Sequence, residues 1–271
     1  MKIRCRATYA VLIAASLLAL PGHSTSFSTD QSDLYYAPGE SGWALELVQR
    51  GPVIFATLLV YDQANAPTWF VAVMNNMTPG PIFGNTSWTG DLYATKGPYF
   101  ATEPFDPIKA TATKVGTTTW LTFENDYGNF FYSVNGVSVS KFVVRETIVV
   151  DDYSGAYKGA IHHTTAGCAD PARNTGPLEA PAAVSVIQSG RTIALTISAD
   201  DGVTTNVTGA VNQYGQFGAV DGTYARGASE SGNVHITEMN VQLNALAMSF
   251  DLISMGICHD QGYFAGIRSR K

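Results

Sequence analysis

One hairpin signal restricts the fold of this chain more than any other feature of its sequence. The segment 117–144, TTTWLTFENDYGNFFYSVNGVSVSKFVV, places alternating runs on either side of Asn135-Gly136. Both residues tolerate the positive φ angles of a type I′ turn, whose twist matches that of two antiparallel strands. The segment therefore predicts a β-hairpin, and ENDYGN ahead of it indicates another turn.

Further strand patterns precede this hairpin. The runs VIFATLLVY (53–61) and PTWFVAVM (67–74) are rich in β-branched and aromatic residues, and the polar loop DQANA separates them. Both runs are apolar on both faces, which is typical of strands that are covered on two sides or that line an apolar interior. The stretch 75–107 is rich in proline and glycine, and it predicts loops with one strand near SWTGDLYA.

Composition changes near residue 150, at IVVDDYSG. All four tryptophans precede this point, whereas His162, His163, His235 and His259 follow it. The second half contains about eight strand-like runs with glycine-containing turns between them, which favours a meander or barrel. The predicted fold class is all-β, with antiparallel meander barrels or sandwiches in two β-domains, residues 27–149 and 150–271, and little helix.

The N-terminus predicts export. Lys2, Arg4 and Arg6 precede the apolar run AVLIAASLLAL, and Pro21-Gly22 ends that run before small residues. This pattern is typical of a cleavable signal peptide, assigned to residues 1–26, so we expect a secreted or periplasmic protein without a transmembrane segment in the mature chain. Removing three of the 16 basic residues leaves 13 against 22 acidic ones. That balance argues against a nucleic-acid partner and against an anionic membrane surface.

Two cysteines, Cys168 and Cys258, remain after the predicted cleavage, because Cys5 lies in the signal peptide. An even number in an exported chain predicts one disulfide. Cys168 follows the first strand-like run of the second half and Cys258 precedes the last, so the bond would bring first and last strands together. This favours a closed barrel, and a sandwich with adjacent termini is the alternative.

Catalytic and metal-binding patterns are weak. The chain has no G-x-S-x-G motif, and no catalytic residue can be assigned. Acidic residues near aromatics leave a hydrolase as one alternative; these are Glu40, Glu46, Glu124 and Asp126. His162-His163 with His259 is the only metal-like set, but adjacent strand residues point to opposite faces. We therefore expect no metal and no cofactor.

The aromatic residues of the first half form the candidate ligand site. They either pack a β-core or line a pocket for a small apolar or carbohydrate ligand. The candidate residues are Trp43, Tyr61, Trp69, Trp88, Trp120 and Tyr132, with Phe130 in the same group. The leading hypothesis is a non-enzymatic binding protein, and a structural or adhesive envelope protein is the alternative. The oligomeric state is not predicted.

The stretch APGESGW suggests a tight turn that leads into a strand. Trp43, Leu45 and Leu47 alternate on one face of that strand, so Trp43 is predicted to point inwards. Glu40 is predicted to be a turn residue that accepts hydrogen bonds from backbone amides. Faint internal similarities, such as ESGWALELVQRG with YSGAYKGAIHHT, are too weak to define a repeat.

Three quoted segments carry a resemblance to other proteins: YYAPGESGW (35–43), FAT (55–57) and YDQANAPTW (61–69). Their pattern, YxPxESGW…FAT…YDxxxxPxW, resembles a group of uncharacterised secreted proteins of Gram-negative bacteria over most of the mature chain. The resemblance implies an exported all-β protein and no particular activity. Ala44 departs from the glycine that the group usually has. By shape alone, SGW and SGAY are similar to openings of lipocalin- and avidin-like barrels.

Overall fold

Two antiparallel β-barrels of eight strands each make up the part of the chain that a computed structural model describes, residues 30–80, 85–123, 125–200, 202–228, 230–254 and 258–269. This confirms the predicted all-β class with two β-domains. Two single-turn 3-10 helices, Pro107–Lys109 and Pro171–Arg173, are the helical segments found in these residues. The predicted signal peptide lies outside the described residues.

Each barrel is a meander in which consecutive strands pair and the last strand returns to the first. The first barrel consists of β1 Asp33–Tyr36, β2 Ala44–Arg50, β3 Val53–Tyr61, β4 Pro67–Pro79, β5 Thr86–Lys96, β6 Thr111–Thr122, β7 Tyr127–Val134 and β8 Val137–Glu146. The second consists of β9 Gly155–Ala166, β10 Thr175–Ser189, β11 Thr192–Ala199, β12 Thr204–Tyr214, β13 Phe217–Arg226, β14 Glu230–Gln242, β15 Ala245–Ser254 and β16 His259–Arg268.

The predicted hairpin around Asn135-Gly136 is present. Asn135 has φ 50° and Gly136 has φ 87°, so both residues adopt the left-handed conformation that the type I′ turn requires. The turn joins β7 to β8, in which Val134 faces Val137 and Phe130 faces Lys141. This register decides which side chains of β8 enter the barrel, because residues of a strand alternate between its two faces.

Inward side chains fill the middle of each barrel. In the first barrel Trp88, Trp120 and Phe130 are almost fully buried together with Leu45 and Met74. In the second barrel the core is mainly aliphatic, with tyrosine and phenylalanine at both ends. Such filled interiors are expected of eight-stranded barrels, whose diameter leaves room for side chains and at most one small ligand.

One end of the first barrel is closed by a buried polar network around Arg145. Its guanidinium donates to the carbonyl oxygens of Asp30, Ser32 and Asn125, each at 2.8 Å. It also lies over the Tyr35 ring, 5.2 Å from the centroid. These contacts hold the segment that precedes β1 across this opening of the barrel, so we call it the closed end.

The second barrel repeats this closure with equivalent residues. Arg268 donates to the carbonyl oxygen of Ser154 at 2.9 Å and lies over the Tyr157 ring, 5.5 Å from its centroid. Gln49 and Gln188 match as well, because their side chains accept from the backbone N–H of Gln31 and Tyr153 and donate to the glycine carbonyl two residues on. The two barrels are therefore built on one plan, in which Asp30-x-Ser-x-x-Tyr35 corresponds to Asp152-x-Ser-x-x-Tyr157.

The predicted disulfide is confirmed, since Cys168 and Cys258 are bonded to each other. They lie in the connections after β9 and before β16, and β9 pairs with β16 along ten register positions from His259↔Ala166 to Arg268↔Tyr157. The second half is thus a closed barrel rather than a sandwich. The bond lies at the end of the barrel opposite to Arg268.

The two closed ends face each other across the junction between the barrels. Asp30 accepts from the backbone N–H of Gln216 at 3.0 Å, and the Arg145 guanidinium lies 5.8 Å from the Tyr214 ring centroid. Consequently, the other end of each barrel, its open end, points away from the junction. No helix in the described residues has the length and apolar composition needed to cross a membrane.

Candidate functional site

The open end of the first barrel exposes part of its apolar lining. Six inward-facing or end-capping side chains pack on the core and are still only partly buried: Trp43, Val60, Phe70, Val115, Tyr132 and Val134. They lie above the fully buried layer of Trp88, Trp120 and Phe130. This ring leaves apolar surface accessible at the barrel mouth, which is a common location of small-ligand sites.

A polar cluster borders this ring on one side. Glu40 Oε2 accepts a hydrogen bond from the Trp43 indole N–H at 3.1 Å and from the Lys141 ammonium at 2.5 Å. The same ammonium lies 5.7 Å from the centroid of the Trp43 ring. Carboxylate, ammonium and indole thus fix one another, and the Trp43 ring is held in a defined orientation at the edge of the barrel.

Local sequence explains how Glu40 reaches this position. The backbone N–H of Glu40 donates to the Ala37 carbonyl at 3.0 Å, and Gly39 has φ 83°. These are the features of a type II turn with Pro38 at its second position and glycine at its third. The prediction that Glu40 accepts from backbone amides is wrong, because the hydrogen-bond partners of its carboxylate are side chains: the turn presents that carboxylate to β8.

Electrostatics of the cluster follow from these contacts. Hydrogen bonds from Lys141 and Trp43 lower the pKa of Glu40 below its ordinary value, so the carboxylate is charged at neutral pH. Burial raises the pKa of the Tyr132 hydroxyl above its ordinary value. The positive charge of Lys141 lowers this pKa and the negative charge of Glu40 raises it, and burial is the largest effect. Tyr132 is therefore a neutral donor at physiological pH, beside one anion and one cation.

The structure separates the predicted aromatic residues into three groups. Trp43 and Tyr132 line the open end. Trp88 and Trp120 are only 2% and 0% exposed, so they are core residues with no surface for a ligand. Tyr61 and Trp69 are 55% and 53% exposed on the outer face of the barrel, where the Trp69 indole N–H donates to Thr95.

Five contributors to the open end are not singled out by the sequence, namely Lys141, Phe70, Val60, Val115 and Val134. A signal for Lys141 does exist. Counting in steps of two from the Asn135-Gly136 turn places Val139, Lys141 and Val143 on the inward face of β8. A lysine between two inward valines is expected to extend its side chain towards the barrel edge, because its ammonium must stay close to water or to a carboxylate.

The carboxylates considered for hydrolysis do not meet in the described residues. Glu40 lies at the open end. Asp126 lies at the closed end, where its backbone carbonyl accepts a hydrogen bond from the backbone N–H of Arg145. Glu46 points outwards from β2. Glu124 lies outside the described residues, so its position relative to the others is not assigned.

The histidine set is likewise dispersed. His162 stacks on Tyr263 with 5.2 Å between ring centroids, His163 contacts Asp260, and His259 pairs with Asp251. His235 forms a separate exposed pair with Asp221. Across the described ranges, no three histidine, cysteine or acidic side chains are grouped so that they could bind one metal ion.

The fold and the open end define the chain as a double antiparallel β-barrel protein. A scan against protein-family models finds no match to the chain, and a search of curated proteins finds none with significant similarity. What the chain does must therefore be argued from its own residues.

Proposed function

We propose that the protein is an exported, non-enzymatic binding protein that takes a small ligand at the open end of its first barrel. The observation that supports this most directly is the partly exposed ring around Trp43, Phe70 and Tyr132, which lies above an otherwise packed core. A ring of this kind leaves apolar surface in water, and a ligand that covers it gains about 25 cal/mol for each Å² removed from solvent.

The chemistry of the ring defines the ligand class. Trp43 and Tyr132 offer flat apolar faces, and the Glu40–Lys141 pair offers one acceptor and one donor at the rim. An apolar molecule would use the faces alone, whereas a sugar ring would also use the charged pair. The predicted export signal and the disulfide are consistent with a ligand that is met outside the cytoplasm.

The test is calorimetric titration of the folded protein with neutral oligosaccharides and with apolar amphiphiles. Trp43→Ala is expected to weaken binding at least about tenfold, which is about 1.4 kcal/mol. Trp69→Ala is the matched control, because it removes the same side chain from the outer face, and it should leave the affinity unchanged. Equal losses in both variants, or no saturable heat with either ligand class, would contradict the proposal.

A third variant distinguishes the two ligand classes. Lys141→Met removes the rim donor and keeps the length of the side chain. Binding of a sugar should weaken at least about tenfold, since a hydrogen bond to a charged group contributes about 1.5–3 kcal/mol. Binding of an apolar amphiphile should stay the same or become tighter.

A structural or adhesive role is the second candidate, and the outer face of the first barrel favours it. Phe55 and Val73 are paired across β3 and β4 and are 42% and 48% exposed, and Leu59 and Trp69 form a second exposed pair. If this face joins two copies of the chain, sedimentation should show a concentration-dependent dimer that Phe55→Thr abolishes. A monomer at all concentrations would contradict this candidate.

A further inference from the structure

The second barrel contains a cavity at its open end, and its lining differs from the aromatic ring of the first barrel. It measures about 120 Å³ and is walled by inward side chains of five strands, among them Ile161, Ile197, Phe250 and Leu252. An apolar protein cavity of roughly 150 Å³ takes up benzene. The space is therefore suited to a molecule about as large as one six-membered ring.

Polar groups line this cavity at its rim. His163 and Arg226 line it, and their side chains are 25% and 24% exposed, so the chamber communicates with solvent at this rim. Between them lies Asp260, whose side chain is 3% exposed. Oδ1 of Asp260 is hydrogen-bonded to His163 Nδ1 at 2.9 Å. Oδ2 of Asp260 forms an ion pair with Arg226 Nη2 at 2.7 Å, but the geometry of this contact is not that of a hydrogen bond.

The contact with Asp260 orients the His163 imidazole and determines which tautomer its neutral form adopts. An ionised carboxylate can only accept, so Nδ1 of His163 carries the proton, and in the neutral ring Nε2 is left as an acceptor. The contacts that the described residues make to the His163 ring involve Nδ1 alone. At its rim the cavity thus has one imidazole acceptor beside Arg226 and Thr205, and its other walls are mainly apolar.

Charges around Arg226 argue against an anionic ligand. Asp260 and Glu230 lie 2.7 and 3.8 Å from its guanidinium, and Arg173 shares Glu230 at 3.4 Å. The two cations are balanced by two carboxylates, so a ligand carboxylate would gain little attraction and would lie near like charge. A hydroxyl fits better, because it donates to imidazole Nε2 and keeps lone pairs for a guanidinium N–H.

The rim network is held in place by further contacts. Arg226 Nε donates to Thr205 Oγ1 at 3.0 Å, and the Tyr224 hydroxyl donates to Glu230 at 3.0 Å. Burial and this carboxylate raise the pKa of Tyr224 to about 12, so the hydroxyl remains a donor throughout the physiological range. These contacts therefore hold Arg226 and Glu230 in place at the rim beside His163 and Asp260.

We propose that this cavity is a second binding site, specific for a small neutral molecule that joins a single ring or a short branched chain to a hydroxyl group donated to His163 Nε2. The site goes beyond the function proposed above, because it lies in the other barrel and has mainly aliphatic walls with a single aromatic ring, that of Phe250. Phenol and cyclohexanol represent the expected class.

The experiment is an NMR titration of the ¹⁵N-labelled protein with phenol, benzene and benzoate. Phenol should shift amides near the cavity and bind about fivefold more tightly than benzene, the gain expected from one hydrogen bond. Benzoate should bind more weakly than phenol. Phenol that shifts only amides of the first barrel, or benzoate that binds more tightly than phenol, would overturn the proposal.

Three variants test whether phenol and benzene bind in this cavity. His163→Leu should weaken phenol binding about fivefold and leave benzene binding unchanged, because it removes the acceptor and keeps apolar volume. His162→Leu, the neighbour that stacks on Tyr263, is the matched control and should change neither. Ala199→Leu should abolish binding of both ligands by filling the chamber while leaving the Asp260 contacts intact.

Thermal unfolding of each variant shows that it is folded. Phenol affinity that Ala199→Leu leaves intact in a folded protein would overturn the proposal. Trp43→Ala should not alter phenol binding at this cavity, so failure of the first-barrel site and failure of this one are distinguishable.

Discussion

Replacing Arg145 by leucine tests the account of how the first barrel closes. The Arg145 side chain is 1% exposed, and it donates to three carbonyl oxygens at 2.8 Å and contacts Asp33 at 3.3 Å. Leucine keeps the apolar stem of the side chain but leaves these acceptors buried without their donor. Because an uncompensated buried polar group is costly, the variant should lose a substantial part of the stability of this barrel.

The magnitude follows from the kind of contact that is lost. Removing one partner of a buried charged network typically costs 3–5 kcal/mol, so we expect about 4 kcal/mol for Arg145→Leu. With a urea dependence of about 2 kcal/mol per molar for a domain of this size, the unfolding midpoint should fall by about 2 M. The equivalent Arg268→Leu should cost only about 1 kcal/mol, because Arg268 is exposed and bonds one carbonyl and one hydroxyl.

Tryptophan emission measures this effect in one barrel, since all four tryptophans belong to the first. Arg145→Leu should shift the emission transition to lower urea. Arg268→Leu should leave the emission transition in place and shift only that part of the far-ultraviolet circular dichroism transition that tryptophan emission does not follow. A midpoint change below about 0.5 M for Arg145→Leu would refute the reasoning, because the buried guanidinium would then contribute no more than an exposed one.

Two further predictions concern the disulfide and the Glu40 cluster. Reducing Cys168–Cys258 opens a loop with a sequence separation of 90 residues and should destabilise the second barrel by up to about 4–5 kcal/mol. The loss should appear in far-ultraviolet circular dichroism but not in tryptophan emission, and equal circular dichroism midpoints with and without reductant would contradict this. The lowered pKa of Glu40 means that its contribution to stability is complete above the ordinary value of 4.5 and is lost as the pH falls through the lowered folded-state value. Urea midpoints measured between about pH 3 and pH 7 should therefore vary less in Glu40→Gln than in the unmodified chain, and identical pH profiles would show that the cluster does not form.

Strand patterns and turn chemistry predict much of the fold from the sequence. The run 53–61 coincides with β3 Val53–Tyr61, and Asn135-Gly136 forms the predicted turn. The positions of Cys168 and Cys258 correctly favour closure of the second barrel. These features are local or depend on a covalent bond, so a single sequence is sufficient to read them.

Hydrophobic patterns do not reveal the duplication, because it depends on a few polar and aromatic residues at the closed ends. The similarity of ESGWALELVQRG to YSGAYKGAIHHT compares β2 with β9, which are not equivalent strands. The true correspondence aligns LELVQRG with VSVIQSG, so that Gln49 matches Gln188. Hydrophobic periodicity cannot detect this match, since the shared residues serve to close the barrel bottom rather than to pack its core.

The candidate site was only partly readable for a related reason. Strands β3 and β4 are apolar on both faces, so composition cannot decide that Leu58 and Phe70 point inwards while Leu59 and Trp69 point outwards. Glu40 and Lys141 are 101 residues apart in sequence, and their contact follows from barrel closure rather than from any local pattern. His163 and Asp260 become neighbours by the same pairing of first and last strands.

The central claim is that the open end of the first barrel binds a small ligand. The most direct measurement is an NMR titration of the ¹⁵N-labelled protein with the tightest ligand from the calorimetric panel. Amide shifts should concentrate at residues 40–43, at Phe70 and at residues 132–141, around the ring and its charged pair. Shifts confined to the outer face near Leu59, Trp69 and Val73, or spread without focus over both barrels, would contradict the claim.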